Sequence, residues 1–171
     1  MSTDTLVDEL ARAHIGRTHN QYAASALRRE RLRRYLARRA AAPVLLVGEA
    51  AGYRGARVSG IPFTSERQLT GIGPAEATAT IVHRVLAELG VADEVLLWNL
   101  VPTHPGTACS NRAPTRAEIA RSRPFLDALA AGRRAIPVGR LARRELDGPY
   151  VRHPSHGGAA AFREQLARAL G

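Results

Sequence analysis

The chain has 171 residues, 45% hydrophobic and 5% aromatic, which is apolar mass enough for one core and too little for two. Cys109 is the only cysteine, so an intramolecular disulfide, a cysteine-ligated iron–sulfur cluster and a four-cysteine zinc site are excluded. The net charge is +10 and its basic side is arginine throughout, with no lysine, which points to a polyanionic partner.

Arginine's planar fork pairs bidentately with phosphate and stacks on bases, so this charge suits nucleic acid better than a membrane. Genome bias accounts equally well for the missing lysine, but not for the excess positive charge. The N-terminal MSTDTLVDEL is acidic and lacks the apolar run of a signal peptide, and no stretch reaches the ~18 apolar residues of a membrane span. The expectation is one soluble, cytoplasmic domain over residues 1–171, with N-terminal helices over 1–42 and an α/β core over 43–171.

In chain order, Leu6, Val7, Leu10 and Ala11 recur at helical spacing. A second helix is predicted over Tyr22 to Ala42, where Arg28, Arg29, Arg31, Arg33, Arg34, Arg38 and Arg39 surround a stripe of Leu27, Leu32, Tyr35 and Leu36. Such a face is either solvated on a packed helix or a direct DNA contact. Four β-rich runs follow, at Val44 to Val47, Val95 to Leu100, Ala135 to Val138 and Tyr150 to Arg152. Helical patterns lie at Pro74 to Leu89, Thr115 to Ala131, Arg140 to Leu146 and Ala159 to Leu170, and Thr115 with Glu118 forms a capping box.

Strands alternating with helices predict a three-layer α/β/α sandwich around a four-stranded parallel sheet. Its functional loops belong at the carboxyl ends of the strands, which are Gly48 to Ser65, Asn99 to Arg112 and His153 to Gly158.

The first loop, GEAAGYRGARVSGIPFTSE, fits neither the phosphate-loop pattern nor GxGxxG. It offers an acid, Glu49, and an aromatic face, Phe63, on a glycine-rich backbone able to wrap a flat ligand. The second begins at Asn99, whose amide donates and accepts at once and is suited to a nucleobase edge or to capping a loop. The third is VRHPSHGG, in which rigid Pro154 holds His153, and Ser155 with the glycine turn can present backbone amides to a phosphate. His104 is either a DNA or base-pocket contact or a loop histidine without a role, and His14, His19 and His83 fall in helical segments with no assigned part.

Gly48-Glu49-Ala50-Ala51-Gly52, Gly60-Ile61-Pro62-Phe63, Asn99 followed by Asn111-Arg112-Ala113-Pro114-Thr115, and His153-Pro154-Ser155 together resemble the uracil-DNA glycosylase superfamily over roughly residues 43–170. The likeness is closest to the branch with a GEAPG first motif, known for iron–sulfur members. The resemblance implies base flipping into a pocket at the strand ends of a four-stranded parallel sheet. It implies that Phe63 stacks on uracil, Asn99 reads its N3 and O4 edge, and His153 bonds O2 and stabilises the charge developing on the base. Glu49, with the Gly48 to Ala50 backbone, would position water or steady the cation-like sugar. Ser155, His156, Gly157, Arg57 and Arg112 would meet DNA. No metal or other cofactor is implied, and the expected state is a monomer on uracil-containing DNA.

The sequence also departs from the family. Ala51 replaces its proline, and Ala50 stands where the best-known branch has a water-activating Asp. Thr103 and Ser122 occupy cysteine slots, and Gly52 and Gly55 stand where relatives block the thymine methyl group, a task left to Tyr53 or Arg57. Two other readings share the motifs: a protein that grips or covalently traps uracil-containing or damaged DNA without turnover, and a glycosylase for hypoxanthine, xanthine or mismatched thymine.

Overall fold

The computed structural model describes residues 1–171. Two runs of Val and Leu form the centre of a parallel sheet, because a strand covered on both faces needs side chains that pack on both. They are β1 (Val44–Ala50) and β2 (Val95–Val101), and β3 (Arg134–Pro137) pairs on the other side of β1 to give the order β2-β1-β3. Register places Val44 opposite Val95 and Gly48 opposite Asn99, so the first two motif loops leave the sheet side by side.

The expected fourth strand is corrected to a single parallel bridge between Val138 and Val151. The segment lies between Pro149 and Pro154, neither of which can donate to a ladder. Only Val151 N–H to Pro137 O (3.1 Å) and Gly139 N–H to Val151 O (2.8 Å) form. The bridge still carries the third motif to the same end of the sheet.

Eight helices complete the molecule: α1 (Thr3–Arg12), α2 (Ala26–Arg38), α3 (Ala56–Ser59), α4 (Glu66–Thr70), α5 (Ala77–Glu88), α6 (Arg116–Ala130), α7 (Gly139–Glu145) and α8 (Ala159–Leu170). The short α3 and α4 fold up the first motif loop and its continuation, where the sequence suggested only a wrapping coil. Ser2, Ser25 and Thr115 cap α1, α2 and α6 through their hydroxyls, and the Thr115–Glu118 capping box is present. Leu6 and Leu10 of α1 and Leu32 and Leu36 of α2 join the strands in one apolar cluster of 35 buried residues.

Most arginines of α2 are engaged by their neighbours, while Arg38 stays exposed. Arg28 Nε donates to Val58 O (2.8 Å), Arg29 to Tyr22 O (2.6 Å), and Arg31 grips both Glu66 oxygens (2.8 and 2.9 Å). Arg33 pairs with Asp8, Arg34 with Glu30 (2.7 Å) and Arg39 with Asp93 (2.8 Å). Of the two roles open to this helix, packing is the one that engages its charge.

Candidate functional site

The ends of β1, β2 and the 138–151 bridge enclose a cavity of about 390 Å³, lined by Glu49, Phe63, Glu76, Asn99, His153 and Ser155 among others. Its floor is set by the Gly48–Asn99 pair. A Cβ on Gly48 would overlap the Phe63 ring and approach Asn99 Oδ1 to 2.8 Å, so glycine here lets the ring and the amide close side by side onto the β1 backbone. Phe63 is buried with φ of 51°, a left-handed conformation that costs a bulky residue about 1 kcal/mol or more and persists only where packing enforces it. Thr64, next to it, is anchored by its hydroxyl 3.0 Å from His83 Nε2. His83, which the sequence left without a part, thus supports the turn that presents the ring.

Asn99 is only 4% exposed, yet its amide makes no hydrogen bond within the protein and faces the cavity. Buried amides are ordinarily paired, and this one, left open to the cavity beside an aromatic ring, keeps both its donor and its acceptor free. Glu49 is half-buried at the end of β1 with no cation beside it, and desolvation raises its pKa.

His153 has a defined tautomer. Ser155 N–H donates to His153 Nδ1 (3.2 Å) and Ser155 Oγ lies 2.7 Å from the same nitrogen. Nδ1 is therefore an acceptor, and the neutral ring carries its proton on Nε2, which has no partner in the protein. Burial, then the neighbouring His156, lowers the His153 pKa and keeps the ring neutral at physiological pH. His156 has φ of 51°, so both non-glycine residues in the left-handed region lie at this site.

A second, open groove of about 800 Å³ shares Glu49, His153, Ser155 and His156 with the first. Its outer wall holds Arg140 and Arg144 of α7 and Arg152, all exposed and none bonded through its guanidinium. These three arginines, and Glu76, were missed from sequence. Glu76 lies at the start of α5, outside every motif loop, and the arginines are diluted among 25. A signal existed for two of the arginines, because Arg140 follows the Ala135 to Val138 run and Arg152 ends the Tyr150 to Arg152 run.

Other predicted positions fall elsewhere. Tyr53 and Arg57 lie outside the cavity lining; Arg54 sits over the Tyr53 ring at 5.3 Å, and the Arg57 Nε is buried without a partner. Arg112 reaches the rim but its guanidinium forks onto buried Glu118 (2.9 and 2.7 Å). Gly48 and Ala50 line or underlie the cavity, while His156 and Gly157 are exposed at its mouth. His104 is fully buried, its ring nitrogens each 2.7 Å from a carbonyl, those of Ala51 and Thr107, so it ties the first motif loop to the second.

Comparison with known families matches the uracil DNA glycosylase superfamily over residues 37–167. The chain belongs to that superfamily. Among solved structures, wild-type Pedobacter heparinus SMUG2 is similar at a TM-score of 0.72 and 12% identity, covering 99% of this chain and 97% of that one, which shows the same fold. No curated protein sequence matches. The iron–sulfur cluster of some members does not suit these residues: Thr103 and Ser122 offer hydroxyls, not thiolates. Thr103 Oγ1 lies 2.6 Å from Thr18 Oγ1, and Ser122 Oγ donates to Glu118 O (2.8 Å).

Proposed function

We propose that this superfamily member is a monofunctional glycosylase that hydrolyses the N-glycosidic bond of uracil in DNA, acting as a monomer on chromosomal DNA in the cytoplasm. The observation that carries the reading is Asn99, a buried amide left unpaired at the cavity, where it and the Phe63 ring pack side by side over Gly48.

A base inside a duplex cannot reach this cavity, so the target nucleotide flips out of the stack. Phe63 stacks on its face. The Asn99 amide donates to O4 and accepts from N3–H, a pairing that cytosine, with an amino group at C4 and no proton on N3, mismatches at both atoms. The neutral His153 donates Nε2–H to O2.

As the N1–C1′ bond breaks, its electron pair leaves with the base. The negative charge gathers on O2, against the His153 donor, while C1′ becomes positive. The Glu49 carboxylate faces that positive centre from the side shared by cavity and groove. It takes a proton from water as the water oxygen bonds C1′, and the released uracil anion is finally protonated by solvent. Glu49 thereby carries, one position earlier in the motif, the charge that Ala50 lacks. Arg140, Arg144 and Arg152 supply phosphate contacts along the groove, with Ser155, His156 and Gly157 at the mouth.

The test uses catalytic amounts of protein with an oligonucleotide bearing a single uracil, free base measured by mass, and parallel oligonucleotides bearing hypoxanthine, xanthine or thymine opposite guanine. Repeated release of uracil with an abasic product is expected. A stoichiometric covalent adduct, or release only from another lesion, would replace this reading with a trapping protein or with a different glycosylase.

A further inference from the structure

Glu76 is the N-cap residue of α5 but does not cap it: with φ −118° and ψ 123°, its side chain makes no bond to the helix amides. An N-cap acceptor ordinarily takes an N–H from the first turn. The carboxyl instead turns onto the first motif loop, where a Cβ on Gly52 would overlap Oε1 and one on Gly55 would overlap Oε2. One oxygen thus lies over each glycine, in the volume their side chains would fill, and the group lines the cavity without a cation or donor beside it. Burial raises its pKa, as expected for a carboxyl confined by a cavity wall.

We propose that Glu76 is the specificity-determining wall of the base pocket, filling the space left by Gly52 and Gly55 so that a pyrimidine bearing a substituent at C5 does not fit. The proposal rests on the base placement given above. In a pyrimidine ring, O2 at His153 and the N3–O4 edge at Asn99 leave the C5–C6 edge to face the rest of the lining, which includes Ala50 to Gly52 and Glu76. Tyr53 and Arg57, the candidates from sequence for this task, lie outside that wall. A helix start supplies it across the loop, and the two glycines are small because Glu76 occupies their side-chain volume.

The experiment measures release of uracil, 5-fluorouracil, 5-bromouracil and thymine from otherwise identical oligonucleotides by wild type, Glu76→Gln, Glu76→Ala and Glu76→Ser. Serine removes the wall while supplying a favoured N-cap, which keeps a folded variant in hand should alanine fray α5. In wild type, release falls as the 5-substituent grows. The alanine and serine variants should raise the ratio of thymine to uracil release by about tenfold or more, the scale on which a pocket discriminates one methyl group, and glutamine should keep the wild-type ratio. Unchanged ratios in the folded serine variant, or loss of uracil release without gain of the larger bases, overturn the proposal while leaving uracil excision standing. Wild type that releases no base at all overturns both.

Discussion

Two buried polar side chains, Glu118 on α6 and Asn99 on β2, set the terms of this molecule. Glu118 is 2% exposed and fully engaged: its carboxylate accepts from Arg112 twice, from Arg17 N–H (3.1 Å) and from Thr115 N–H (2.8 Å). Asn99 is 4% exposed and engaged by nothing in the protein. Burial alone therefore does not distinguish a carboxylate that staples its surroundings from an amide left open to a cavity; the bonds each makes do. The arginines divide the same way: most of those on α2 are held by carboxylates and carbonyls, and Arg140 and Arg144 of α7 with Arg152 are free beside the cavity.

The largest expected effect sharpens the structural half. Glu118→Ala leaves two backbone amides without their acceptor and frees the part-exposed Arg112, and should cost about 2–4 kcal/mol of stability in denaturant titration. Asn99→Ala should change stability far less. The same carboxyl carries a pH dependence. Arg112 beside it holds the Glu118 pKa at about 2, below its ordinary value, so its contribution is complete above the ordinary carboxylate range and lost as pH falls toward that value. A melting temperature flat between pH 5 and pH 2 would contradict this.

On the functional half, His153→Ala removes the donor to the departing base and should lower uracil release by about 10²–10³, with the fold intact by circular dichroism. The free arginines come next. Arg140→Ala with Arg144→Ala should weaken DNA binding and flatten its salt dependence by up to about two phosphate contacts, whereas Arg34→Ala on α2 should leave the slope unchanged. The smallest effect is the acid limb of the rate profile. Desolvation raises the Glu49 pKa, so release should fall off in acid already at a pH above the ordinary carboxylate value, and a limb at or below that value would contradict it.

Strand positions and the three loops at their ends were readable because buried parallel strands must be apolar runs and must end in breakers. Val44 to Val47 and Val95 to Leu100 show this, each extended slightly in the structure. The fourth strand was over-read because apolar content at Val151 was weighed without the two flanking prolines. Phe63, Asn99 and His153, widely separated in sequence, line one cavity as the motif order suggested. Glu76, His83 and His104 were not legible. Each acts through a long-range contact, with Gly52 and Gly55, with Thr64, and with the Ala51 and Thr107 carbonyls, and no local periodicity marks such a contact. Tyr53 and Arg57 were over-read for the converse reason, since proximity to a motif in sequence did not aim them into the cavity.

The most direct measurement is cleavage of a labelled single-uracil oligonucleotide after alkali, by wild type and by Asn99→Asp. The aspartate keeps the size and burial of the amide but turns its donor into an acceptor facing O4. Strand breaks at uracil with wild type that fall by at least about a hundredfold with Asn99→Asp are expected. Equal cleavage by the two proteins would contradict the assignment of Asn99 as the group that reads the base.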